Sequence, residues 1–165
     1  LSALLAGWSK SSQMRIGNEI SFYDLRNYPA VLEGAFSNDW TMKMTQRMPF
    51  VFIQEAGLRG IRERAAPANV WFLRSLQSNG RTAEDYAVVS RVFDSGTLEP
   101  LVLVAGITQY GTQAAGEFVA NEEGFAAAIA SAPSDWRTRN LQILLHLNVI
   151  GKVPGKPKVL AVRTW

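Results

Sequence analysis

Residues 101–118 read "LVLVAGITQYGTQAAGEF", and this stretch constrains the fold more than any other. Five small or aliphatic residues run into Gly106 with no polar break. A strand of that kind is covered on both faces. Gly111 and Gly116 follow at steps of five, and the spacing predicts a helix opening near Thr112 or Gln113. A buried strand that breaks into glycines and then a helix is one way to build a phosphate cradle.

Specific cradles fail on their residues. The dinucleotide spacing G-x-G-x-x-G is absent. In "GITQYGT", Thr112 stands where a P-loop needs lysine and Gln113 where it needs Ser or Thr, so no cation meets a β- or γ-phosphate. "GKVPGKPK" has glycines and lysines, but Pro154 and Pro157 forbid a following helix.

The rest of the chain alternates strands and helices. A helix end is expected over residues 2–9 and a short strand from Met14 to Ile16. Ser21 is expected to cap a single turn, "FYDLRN". The segment "AVLEGAF" reads as a strand, and Ser37 and Asn38 as caps for a helix in "TMKMTQRM". Strands are expected in "FVFIQEAG", "VWFLRS" and "DYAVVSRVFD". Residues 57–69 read as a polar connector. Asn121 opens a second helix, "NLQILLHLNVIG" alternates as a strand, "KVPGKP" is a loop and "KVLAVRTW" a last strand. The sum predicts one α/β domain over 1–165. Its expected form is a three-layer sandwich with a mixed, mostly central parallel sheet, Rossmann-like or flavodoxin-like, with 101–149 as one βαβ unit. The first residue is Leu1, and the helix-like start suggests a fragment truncated at its N-terminus.

In such sheets ligands sit beyond the carboxyl ends of parallel strands. Two loops, 34–40 and 106–113, leave such ends. The hairpin partner of 101–106 brings its own start to the same edge. The candidate ligand-binding residues are therefore Ser37, Asn38, Trp40, Asp85, Gly106, Thr108, Tyr110, Gly111, Thr112 and Gln113. Their hydroxyl, amide and aromatic groups suit a small-molecule pocket, and a helix N-terminus favours an anion. Glu33 is the odd residue of its apolar strand. It is expected to meet a basic partner or to line the crevice.

Composition narrows the chemistry. The 165 residues have no cysteine and one histidine, which excludes disulfides, thiolate sites and paired-histidine metal sites within one chain. No metal site and no cofactor motif is expected. His146 falls in mid-strand and reads as structural. No G-x-S-x-G elbow is present. Net charge is +3, which permits an anionic partner without demanding one. "RGIRER" lacks interleaved aromatics, so no direct nucleic-acid contact is expected. No run approaches the apolar length of a membrane span.

Three stretches, 21–45, 85–120 and 136–165, resemble an uncharacterised C-terminal domain of bacterial multidomain proteins frequent in acidobacteria. "AGITQYGTQAAGEF" is the most specific of the shared wording. That family often looks like the distal part of winged-helix regulators, beyond a membrane span. The resemblance implies a sensor or effector domain, distal to a membrane anchor and reaching the membrane only through an upstream segment. It carries no known activity, and its pattern has an aliphatic residue where this chain has Glu33. Three functions stay open: a regulatory domain binding a small or anionic ligand without catalysis, a module for self-association or a partner protein, and a hydrolase using crevice hydroxyls and carboxylates.

Overall fold

The computed structural model describes residues 11–15, 20–93, 99–130 and 132–165. The helix expected over 2–9 lies outside them, as does Ile16; Met14 and Arg15 form no strand. The elements follow in chain order: α1 (Phe22–Asn27), β1 (Ala30–Glu33), α2 (Asp39–Thr45), β2 (Phe50–Glu55), β3 (Leu58–Glu63), β4 (Val70–Phe72), β5 (Glu84–Val92), β6 (Leu101–Gly106), α3 (Gln109–Ala120), α4 (Glu122–Ile129), β7 (Leu141–Ile150), β8 (Val153–Pro154) and β9 (Lys158–Thr164).

Local chemistry explains most boundaries. Ser21 and Asp24 close a reciprocal capping box on α1. The Asn38 side chain accepts the Trp40 and Thr41 N–H groups at the start of α2. β1 stops where Gly34 takes φ +83°, a left-handed conformation that glycine adopts without strain.

Two sheets form. The larger runs β1-β6-β5-β7, with β8 and β9 following one another along the far edge of β7. The smaller is β2-β3-β4. Among the described residues only β1 and β6 are parallel, with Glu33 opposite Val104. β5 pairs antiparallel with both β6 and β7.

The Rossmann-like sandwich with a mostly parallel sheet is therefore corrected. β5 stands between β6 and β7, so 101–149 is a split unit rather than adjacent parallel strands. The large sheet is mixed and curled. One face is covered by α3 and α4, where Ala87, Val89 and Val104 meet Ala115, Phe118 and Phe125. The other face is covered largely by the small antiparallel sheet, where Val88, Ala105 and Leu144 meet Phe50, Phe52 and Ile61. α1 and α2 pack beside it.

The supposed connector 57–69 supplies β3. Arg59 and Arg62 look solvated in sequence, yet the Arg59 guanidinium lies over the Phe36 ring and Arg62 pairs with Glu55. α3 also begins at Gln109, earlier than the glycine spacing predicts, so Gly111 and Gly116 both lie within it. "KVPGKP" contains β8 and returns along β7 as part of one long hairpin.

Candidate functional site

β1 and β6 run parallel, so loops 34–40 and 106–113 do leave one edge. They then diverge. The first turns to α2 on the small-sheet face, and the second to α3 on the opposite face. The ten candidate residues divide accordingly.

Five converge on a single knot. The buried Asp85 carboxylate accepts from Gly111 N at 2.7 Å, from Thr108 N at 3.1 Å, from the Thr108 hydroxyl, and from Tyr86 N at 2.8 Å. The Thr108 hydroxyl also accepts from Tyr110 N. Thr112 Oγ1 accepts from Gly106 N at 3.0 Å and donates to the Thr108 carbonyl at 3.1 Å. These are the amides that an anion would need, and each has an acceptor within the chain. The cradle is filled by the protein's own carboxylate. Burial pushes the Asp85 carboxyl above the usual range, and the bonds from Thr108, Gly111 and Tyr86 pull it back only in part.

The other five are dispersed. Tyr110 is buried against Ala114, Leu147 and Val149. Asn38 caps α2 and donates to the Glu33 carbonyl at 3.1 Å. The Trp40 indole donates to the Ile20 carbonyl at 2.8 Å, within the cluster around Leu25 and Leu32. Ser37 is exposed on its own loop. Gln113 is exposed and donates to Glu117 at 3.0 Å.

Glu33 is exposed and forms no ion pair among the described residues, so the basic partner is absent there. Its side chain sits on the open flank of β1. With Thr112, Gln113 and Glu117 it lines a shallow depression of about 300 Å³. His146 Nε2 lies 3.0 Å from Glu84 Oε2, and its ring packs 5.0 Å from that of Tyr86. No cluster of three metal-binding side chains occurs among the described residues.

A second region was invisible to sequence motifs. β9 pairs with β7 and with no other strand among the described residues. Asn140 and Trp165 exchange both backbone hydrogen bonds. Antiparallel pairs alternate, so Arg163 and Ala161 bond inward to β7, while Val162 and Thr164 turn their N–H and C=O groups outward. A bulge opposite Leu144/Leu145 ends this regular stretch near Leu160. Alongside the strand, Ala128, Ala132 and Pro133 face residues 159–164 across an open groove of about 320 Å³. The small alanines let another backbone approach. Val159, Leu160 and Trp165 stay well exposed at its margins. In the sequence, "KVLAVRTW" shows a strand, but an unpaired edge is a property of the sheet. Comparison with family models, with curated proteins and with solved structures finds no match to this chain.

Proposed function

We propose that the domain is a non-catalytic interaction module that takes an extended segment of a partner protein as an added strand on β9. The observation that carries this is the outward main chain of Val162 and Thr164, set in a groove walled by Ala128, Ala132 and Pro133. Strand addition draws affinity from main-chain hydrogen bonds and specificity from alternate side chains. The partner's alternate residues would lie against the alanine wall, which favours small or apolar ones. The resemblance to distal domains of bacterial regulators suits such a role, with binding at β9 passed to an effector elsewhere. Selection of random twelve-residue peptides against the chain tests it. Selected peptides should compete with one another and lose binding in Val162→Pro, a change that removes an outward N–H and leaves the β7 ladder intact. Peptides that bind Val162→Pro unchanged would contradict strand addition.

A second reading, a small-ligand sensor, draws on the depression beside Glu33. With Glu33 and Glu117 both on its rim, it suits a cation better than the anion expected from the helix terminus. Putrescine and inorganic phosphate distinguish the two in a thermal-shift assay. A ligand at 100 times its Kd adds about 2.7 kcal/mol. Stabilisation by putrescine that is lost in Glu33→Gln supports the sensor; stabilisation by phosphate alone, or by neither, contradicts it.

A further inference from the structure

We infer that the β7–β8 hairpin tip and the lysines beside it form a contact surface for the anionic face of a phospholipid bilayer. This is independent of what adds to β9. The tip is a two-residue turn, with Gly151 at φ +57° and Lys152 at φ +70°, the mirror-image geometry that makes a hairpin stiff. Ile150 and Val153 flank it as a cross-strand pair, 78% and 65% exposed. No other valine, isoleucine or leucine among the described residues is as exposed. By the two-residue period of a strand, Ile150 shares a face with Asn148 and His146 of β7, and His146 is opposite Lys158 of β9. That face belongs to the small sheet further along, where Gln142 and Leu144 are fully buried, but the small sheet does not reach the tip.

Charge points to what the tip meets. Lys152 lies in the turn itself, Lys156 follows β8, and Lys158 is opposite His146 at the start of β9, with no acidic residue from 136 to 165. Arg81 adds to them, two residues from Ala83, whose carbonyl accepts from Val149 N beside the tip. Arg81, Lys152, Lys156 and Lys158 are exposed and form no ion pair among the described residues. Glu84 is opposite Asn148 near the tip and lies 3.0 Å from His146 Nε2. From residue 92 to 136, which includes α3 and α4, there are six acidic residues and no basic one. The lysines on the hairpin and its return, Lys152, Lys156 and Lys158, would turn the tip toward negative charge.

The apolar tip favours a bilayer over nucleic acid. Two aliphatic side chains projecting beside lysines match the boundary between acyl chains and headgroups. Base recognition would need free aromatic platforms, whereas Arg59, Arg74 and Arg163 already lie over Phe36, Phe72 and Phe50.

The test is sedimentation of the 165-residue chain with vesicles of phosphatidylcholine alone or mixed with phosphatidylglycerol. The chain should pellet with the mixed vesicles and stay in solution with phosphatidylcholine. Ile150→Asp/Val153→Asp should lower partitioning about tenfold, near 1.4 kcal/mol, and Lys152→Gln, Lys156→Gln and Lys158→Gln about fivefold each. These positions are exposed, so thermal melting should be unchanged. The chain lacks cysteine, so Val153→Cys carries a single environment-sensitive fluorophore, whose emission should brighten and shift to the blue on mixed vesicles. No pelleting, pelleting that survives loss of both tip residues, a silent fluorophore, or tighter binding to a short DNA duplex than to vesicles would overturn the inference.

Discussion

Gly111 N donates to Asp85 Oδ2 at 2.7 Å across 26 residues of sequence. This bond ties the first turn of α3 to the start of β5, and so joins the helix layer to the middle of the large sheet. A helix N-terminus presents unpaired N–H groups and partial positive charge. Here a buried carboxylate of the same chain satisfies both.

Removing that carboxylate should cost stability in proportion to the donors it strands. Asp85→Ala leaves Thr108 N and Gly111 N without their acceptor and should lower unfolding free energy by about 3 kcal/mol. Asp85→Asn keeps one oxygen and should cost about half of that. Because the folded-state carboxyl titrates above its unfolded value, its contribution is fully present below the ordinary aspartate range and is lost as pH rises through the raised value. Urea unfolding from pH 3 to pH 7 should show this downward slope in the wild type and lose it in Asp85→Asn.

The three glycines of α3 and its approach should separate cleanly. A Cβ at Gly106 would lie 2.2 Å from Thr112 N, and one at Gly111 would lie 2.8 Å from Asp85 Oδ2 and 2.9 Å from Gly106 Cα. Backbone cannot yield there, so Gly106→Ala should abolish folding and Gly111→Ala should break the Asp85 contact. A Cβ at Gly116 would meet only Val104, at 3.9 Å. Gly116→Ala should be neutral or raise stability by about 0.5–1 kcal/mol through helix propensity. Melting temperatures of the three variants decide it.

Glu63 should respond to pH with the opposite sign. Its carboxylate accepts from Asn69 at 2.9 Å and from Arg163 Nε at 2.8 Å, linking the small sheet to β9. The Asn69 bond and then Arg163 hold its pKa below the ordinary glutamate value. The stability it contributes is present above that ordinary value and lost as pH falls through the lowered one. Arg163 is half exposed, so Glu63→Gln should cost only about 1–2 kcal/mol at neutral pH. That cost should shrink in acid.

Local chemistry was legible in the sequence where one residue decides the outcome. Ser21, Asn38 and Asn121 cap helices as their positions suggest, and the unbroken 101–106 run is covered on both faces. Hairpin logic brought Asp85 to the 106–113 turn. What a carboxylate meets there, a ligand or its own backbone, is not written in spacing. β3 was missed because arginine hides its burial: Arg59 and Arg62 face solvent in a hydropathy sense and pack through rings and ion pairs in fact. The fold class was missed because strand order is non-local. Nothing within 101–149 reveals that β5 inserts between β6 and β7. Gln142 is another such case, a polar residue in an apolar strand. It is fully buried, with its side-chain amide bonded to both Phe50 N and Phe50 O at the edge of β2.

Amide hydrogen exchange along β9 tests the proposed docking edge most directly. In the chain alone, Ala161 and Arg163 should exchange slowly and Val162 and Thr164 fast, since only the first pair donates to β7. Bound to a selected peptide, Val162 and Thr164 should become protected while Ala161 and Arg163 change little. Protection of Val162 and Thr164 in the chain alone, or a bound peptide that leaves both exchanging fast, would contradict strand addition at β9.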